Sequence, residues 1–210
     1  TRQVQEDVIR LLGLENPLTV VTGFDRPNLH FQVLRPKNKP LELCELMAQR
    51  RHQCGIVYCS TRKEVEKVCN LLQEHGFSAT RYHAGLEDEE RRQNQEDFVY
   101  DRRSVMVATN AFGMGINKSN VGFVIHYNMP QSMEAYYQEA GRAGRDGSPA
   151  DCILLYSPGD VYTAKFLIQH PGENPMLSQE TQQLLMTRDL QRLEKMIGYC
   201  KTESCLRGYI

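Results

Sequence analysis

The sequence predicts an α/β fold with a mostly parallel central sheet, and three observations predict it. From residue 55 onward, short runs rich in Val, Ile and aromatics alternate with helical patterns, the rhythm of strands joined by right-handed helical crossovers. Helix starts and glycine stops punctuate that rhythm. With 210 residues, 40% hydrophobic and 24% charged, the chain is long enough to bury a core and too ordinary in composition to be disordered.

Taken in order, residues 1–16 carry a lone helix pattern through Val4, Val8, Leu11 and Leu12 before Asn16-Pro17, and Leu18 to Thr22 reads as a strand. Phe24-Asp25-Arg26-Pro27-Asn28 reads as a linker. Gly55 to Cys59 is the first strand of the alternating region. Thr61-Arg62-Lys63-Glu64 then forms a capping box, with the Thr61 hydroxyl and Glu64 carboxylate each satisfying an orphan N–H. The helix buries Val65, Val68 and Leu72 and stops at Gly76. Ala79 to Tyr82 is a strand, followed by a helix from Glu87 to about Tyr100 whose acidic start suits the helix dipole. Strands follow at Ser104 to Ala108, Phe123 to Tyr127 and Asp151 to Tyr156. A helix opens near Ser132 and runs through Met133, Tyr136, Tyr137 and Ala140 toward a glycine-rich end. The turn-rich His170 to Pro175 marks a boundary before a last helix, Gln179 to Cys200.

Charge and cysteine usage limit the function classes. Twenty-five basic against 26 acidic residues leave a net charge of −1, so bulk charge does not by itself indicate a nucleic-acid partner. No run approaches the roughly 18 apolar residues of a membrane span, and the N-terminal residues lack a secretory stretch. A cytoplasmic or, in a eukaryote, nuclear location is expected, with no membrane partner. The seven cysteines, at 44, 54, 59, 69, 152, 200 and 205, include no Cys-x-x-Cys pair, which fits a reducing compartment without a disulfide framework.

The most informative stretch is Tyr136-Tyr137-Gln138-Glu139-Ala140-Gly141-Arg142-Ala143-Gly144-Arg145-Asp146-Gly147. In a continuous helix, Gln138, Arg142 and Arg145 would project one amide and two guanidiniums from one face. Each interior glycine would cost such a helix about 0.5–1 kcal/mol, so Gly141, Gly144 and Gly147 point to a close approach. Two arginine forks on a glycine-rich turn suit a polyphosphate; two solvated arginines at a helix end are the bland alternative.

Gln138 to Gly147 resembles helicase motif VI in the form found in the RecQ family of DNA helicases. Ile56-Val57-Tyr58-Cys59-Ser60-Thr61-Arg62 resembles motif IV, Tyr82-His83-Ala84-Gly85-Leu86 the next conserved loop, and Val107 to Lys118 motif V. The resemblance implies a RecA-like three-layer sandwich, the second such domain of an ATP-dependent 3′ to 5′ DNA helicase acting in repair and recombination. It divides the chain into residues 1–23, the tail of the first RecA-like domain, residues 24–170, the second, and residues 171–210, the truncated start of a helical zinc-binding module. Arg142 and Arg145 are implied as arginine fingers at the γ-phosphate, with Gln138 orienting the site. Gly113 and Gly115 would let backbone approach the nucleotide, and Asn117 would contact its ribose, although many relatives carry aspartate there.

Ser60, Thr61, Arg62, His83 and Thr109 are implied contacts to the DNA backbone. Ser60 to Arg62 lie at a strand end and helix start where N–H groups can hold an anion, and they can equally serve as a helix cap. His83 has a bland alternative as a satisfied turn histidine. Cys205 is implied as the first of four zinc ligands, with its partners beyond Ile210. ATP, Mg²⁺ and structural Zn²⁺ are the implied cofactors of the complete protein, none being expected on this piece. The implied partners are single-stranded and duplex-junction DNA and the first RecA-like domain. Gly113-Met114-Gly115-Ile116-Asn117-Lys118-Ser119 imitates a phosphate loop but has Asn117 where that loop needs glycine, and no Asp-Glu-x-His motif is present. The chain alone is therefore expected to be inactive. The competing expectations are a non-catalytic RecA-like module for DNA or protein docking, and a DEAD-box RNA helicase domain, whose motif VI usually opens differently.

Overall fold

The computed structural model describes residues 2–19, 25–112, 118–170 and 178–210. Six strands form one sheet: β1 (Leu29–Leu34), β2 (Cys54–Tyr58), β3 (Ala79–Tyr82), β4 (Val105–Ala108), β5 (Val121–His126) and β6 (Ala150–Leu155). Their order is β1-β6-β5-β2-β4-β3, and every pairing is parallel. Side chains alternate between the two faces with period two. Val57, Val107, Ile125 and Ile153 enter one core with Leu43 and Leu46 of α2 (Lys39–Ala48) and Val65, Val68 and Leu72 of α3 (Arg62–Glu74). Ile56, Met106, Val124 and Cys152 enter the other. That second core is closed by Phe98 of α4 (Asp88–Val99), Tyr136 and Ala140 of α5 (Met133–Ala140), and Ala164 of α6 (Pro158–Gln169). Leu193, Met196 and Tyr199 of α7 (Gln179–Lys201) join it, so the last long helix shares the core of the sheet. Helices on both faces make the three layers expected.

Several local expectations are corrected. The first helix, α1 (Arg2–Leu12), stops at Gly13, whose φ of +60° ends it three residues before Asn16. Of the expected strand Leu18 to Thr22, Leu18 and Thr19 are not in a strand, and the remainder lies outside the described residues. Four elements join the expected set: β1, α2, α6 and a short last helix over Leu206–Tyr209. Asn38 caps α2 by accepting from the Leu41 N–H at 3.2 Å. Thr61 Oγ1 accepts from the Glu64 N–H at 3.2 Å, which is one half of the predicted capping box. The helix through motif VI ends at Ala140, and residues 141–147 form successive turns, so Gln138, Arg142 and Arg145 do not share one continuous helical face.

Candidate nucleotide and nucleic-acid site

Parallel sheets collect ligands at the carboxyl ends of their strands, and three neighbouring strands, β2, β4 and β3, end here in Ser60-Thr61-Arg62, Thr109 and His83. The topology thus brings all five expected DNA residues to one edge. A crevice of about 250 Å³ opens beside them, lined by Ser60, Asn110, His126, Asn128, Ser132 and Glu139 among others. Part of the expected anion site is already used. The Ser60 N–H donates to Asn128 Oδ1 at 3.0 Å, and Asn128 Nδ2 donates in turn to Asp160 Oδ1 at 3.2 Å. Asp160 is buried and paired with Lys39 Nζ at 2.7 Å. This chain of bonds ties the end of β2 to α2 and α6. Arg62 is exposed, and Thr109 is buried. His83 is buried with both ring nitrogens engaged: Nε2 lies 2.8 Å from Glu66 Oε1, and Nδ1 accepts from the Gly85 N–H at 3.1 Å. Its hydrogen bonds hold the 83–86 turn in place.

The arginine turn begins where α5 ends. Ser132 caps the start of α5 by accepting from the Ala135 N–H at 3.1 Å, and Gln138 lies exposed on its last turns. Glu139 faces inward instead and binds His126 Nε2 at 2.9 Å. His126 is buried against the rings of Tyr58 and Tyr136, at 5.4 and 4.9 Å between centroids. Beyond Ala140, Arg142 is partly buried and Arg145 exposed. Burial pushes the Tyr58 hydroxyl up, while the Arg142 and Arg145 guanidiniums nearby oppose the shift. Tyr58 also donates to the Phe112 carbonyl at 3.1 Å, the last described residue before the core of motif V. One tyrosine therefore connects the end of motif IV, the arginine turn and motif V.

Gly113, Gly115 and Asn117 lie outside the described residues, but both flanks of their segment are anchored on the end of α4. Phe112 is buried against Phe98 and Tyr82 at 5.9 and 5.0 Å between centroids. On the other side Lys118 is buried, with Nζ 2.7 Å from Asp101 Oδ1 and donating to the Val99 carbonyl at 3.2 Å. Lys118 is thus committed to Asp101.

Sequence reasoning missed the residues that hold the arginine turn. Arg26 Nη2 donates to the Gly144 carbonyl at 2.7 Å and the Ala143 carbonyl at 3.1 Å, and Asn28 Nδ2 donates to the Gly144 and Ser148 carbonyls at 2.8 Å each. The expected linker is therefore a strap, Asp25 to Asn28 among the described residues. Partners 116 to 120 positions away leave no periodic mark on a sequence; the only signal was that Pro27 stiffens a segment too polar to be core.

Cys205 is exposed at the start of α8 (Leu206–Tyr209), and the Gly208 and Arg207 backbone N–H groups pull its thiol below the ordinary range. Cys200 is buried in the core, and the described residues hold no group of three or more candidate metal ligands. Cys205 alone does not complete a zinc site.

Such a fold, with motif-bearing loops at the strand ends and a pinned arginine turn, is that of a helicase C-terminal domain. Residues 38–147 match the helicase conserved C-terminal domain family, and the chain belongs to that family, on its RecQ branch. It is 44% identical over 210 residues to the ATP-dependent DNA helicase RecQ of Bacillus subtilis, covering 100% of this chain and 34% of that protein. With the RecQ helicase of Haemophilus influenzae it shares 45% over 205 residues, 97% of this chain and 31% of the relative. The chain thus spans about a third of the length of these relatives. Among solved structures, the C-terminal domain of the DEAD-box protein Dbp5 superposes with a TM-score of 0.56 at 22% identity, covering 71% of this chain and 88% of that one. A DEAD box protein from Methanococcus jannaschii gives 0.55 at 23%, covering 66% and 38%. These likenesses show the shared RecA-like fold.

Proposed function

We propose that this chain is the second of two motor domains in an ATP-dependent helicase that moves 3′ to 5′ on single-stranded DNA, opens duplex junctions, and serves repair and recombination. The observation that carries the reading is the pinned turn presenting Arg142 and Arg145 beside motif V, joined to it through Tyr58 and Phe112. Planar forks fixed in that way stabilise charge spread over a transferring phosphoryl without reorganising during the reaction. Arg142 and Arg145 act on the γ-phosphate of ATP held by the other motor domain, and Gln138 orients the same site. Gly113, Gly115 and Asn117 approach the nucleotide by backbone and side chain. Mg²⁺, when bound with ATP, neutralises phosphate charge from the domain that carries the phosphate loop. Exposure of Leu11, Leu12 and Leu18, at 78%, 68% and 91%, supports a first segment whose packing partner belongs to another domain.

On the DNA side, Arg62 and the hydroxyls of Ser60 and Thr61 contact phosphates without reading sequence. Thr109 shapes the neighbouring strand end, and His83 holds its turn in register with them. Cys205 supplies one thiolate to a zinc module completed elsewhere in the protein. The test joins this chain to its ATP-binding domain and measures single-strand-stimulated ATPase. Arg142→Ala and Arg145→Ala should leave ATP affinity nearly unchanged while lowering kcat by ~10³-fold. Arg145→Lys should stay well below wild type, since a point charge lacks the fork. This chain alone should show no DNA-stimulated turnover. Unchanged kcat in both alanine variants refutes the assignment.

A further inference from the structure

We propose that the strap Asp25 to Asn28 is a positioning device for the arginine turn, with Arg26 and Asn28 as positioning residues and Arg207 as its brace. The inference rests on the reading of Arg142 and Arg145 as arginine fingers. The last carbonyls of α5 accept from the N–H groups of Gly141, Arg142 and Ala143, and three carbonyls of the turn that follows Ala140 face Arg26. The guanidinium sits 3.4 Å from the Gly141 oxygen, 3.1 Å from that of Ala143 and 2.7 Å from that of Gly144. One side chain near Asn28 therefore fixes the backbone on both sides of Arg142.

Asn28 completes the grip from the other end. Its Nδ2 bridges the Gly144 and Ser148 carbonyls, which flank Arg145, and its own carbonyl accepts from the Ala150 N–H at 2.9 Å, opening the β1–β6 ladder. The turn is also tied to the sheet by the Gly144 N–H donating to the Val121 carbonyl at 2.8 Å. The strap is held in turn. Arg207 Nη1 binds Asp25 Oδ1 and the Arg26 carbonyl at 2.5 and 2.9 Å, Arg207 Nη2 donates to the Leu29 carbonyl at 2.5 Å, and its guanidinium lies over the Phe31 ring at 5.7 Å. Two arginines thus run in series, from α8 to the strap and from the strap to the turn. Both bind backbone carbonyls of this chain, which is the work of positioning. Displacing catalytic groups by about an ångström is enough to cost ~10²-fold in rate, so looseness in the strap appears as lost turnover with nucleotide binding kept.

The test uses the complete helicase and compares Arg26→Met, Asn28→Ala and Arg207→Met with Arg142→Ala and the double variant Arg26→Met/Arg142→Ala. It reads kcat, the KM for ATP and the melting temperature. Arg26→Met should lower kcat by ~10-fold or more with KM within about twofold, and the loss in the double variant should fall short of the two single losses multiplied together, since Arg26 acts partly through Arg142. Arg26→Lys should recover only part of the loss, because an ammonium cannot reach three carbonyls in one plane. Asn28→Ala, which keeps the Arg26 bonds, should show a smaller loss of the same kind and serves if Arg26→Met does not fold. Arg207→Met should follow it. Normal kcat in Arg26→Met and Asn28→Ala beside an impaired Arg142→Ala overturns the strap alone, as does a full additional loss in the double variant. Normal kcat in Arg142→Ala removes the arginine-finger reading, and this inference with it.

Discussion

Replacing Gly144 by alanine perturbs the arginine turn at its tightest point. Gly144 has φ +56°, its N–H and carbonyl are both bonded, and a Cβ there would lie 2.5 Å from Asn28 Nδ2 and 2.7 Å from the Ser148 carbonyl oxygen. An L-residue in the left-handed region costs about 1–2 kcal/mol. Relieving the clash displaces Asn28, whose two hydrogen bonds contribute about 0.5–1.5 kcal/mol each. The total of about 2–5 kcal/mol corresponds to a melting temperature lower by about 4–20 °C for a domain of this size. Gly147 is the internal control: its φ is +87°, but nothing lies within 4 Å of a Cβ there, so Gly147→Ala should carry only the backbone cost, about 1–2 kcal/mol. Differential scanning calorimetry on both variants separates strain from steric conflict. Equal losses in the two, or an undiminished melting temperature in Gly144→Ala, would show that the Asn28 and Ser148 contacts do not restrain the turn.

Three further outcomes are expected. Glu139→Gln keeps an acceptor for His126 Nε2 and should be tolerated better than Glu139→Ala, which strips a buried partner and should cost about 1–3 kcal/mol more in urea unfolding; equal midpoints would refute it. Cys205 is exposed with its thiol pulled down by backbone N–H groups, whereas burial pushes up Cys44, Cys54, Cys59, Cys69, Cys152 and Cys200. Iodoacetamide at about pH 8 should therefore alkylate Cys205 first in the native protein, and peptide mapping that finds another cysteine modified as fast would contradict this. Asp101 is held below its ordinary value by the hydrogen bond from the Lys118 ammonium. A depressed folded-state value stabilises above the unfolded carboxylate range near about pH 3.9, and the contribution disappears as pH falls through the folded value. Asp101→Asn should then flatten the acid limb of the stability profile below about pH 4; parallel profiles would argue against the pairing.

What was legible in the sequence divides by range. Gly55 to Cys59 and Ser104 to Ala108 were readable because their side chains are buried on both faces and the local run of apolar residues says so. β1 lies at the sheet edge with only Leu29 fully buried, and its interspersed His30 and Gln32 dilute that signal. Ser157-Pro158-Gly159 reads as a turn, yet proline is accepted in the first turn of α6 because no N–H is needed there. At the site, the residue types of motif VI were legible, but its helical geometry was not: Gly141 begins the turns that follow the helix, and the side chain holding those turns comes from Arg26. Glu139 was passed over beside its arginines because only the fold reveals that it points at His126.

The pairing of β1 with β6 has a consequence for how the domain is made. Leu29 bonds in register opposite Ala150, so the first strand of this sheet to be synthesised takes its place beside the last. At about 5–20 residues per second, the roughly 120 residues between them take about 6–24 s to synthesise. Throughout that interval β1 has no neighbour, and Arg26 and Asn28 have no carbonyls to bind. Sheet closure and assembly of the arginine turn are therefore one late event in biosynthesis, and a nascent chain arrested before Ala150 carries the sequences of motif IV and motif V while lacking the strap's grip on the arginine turn.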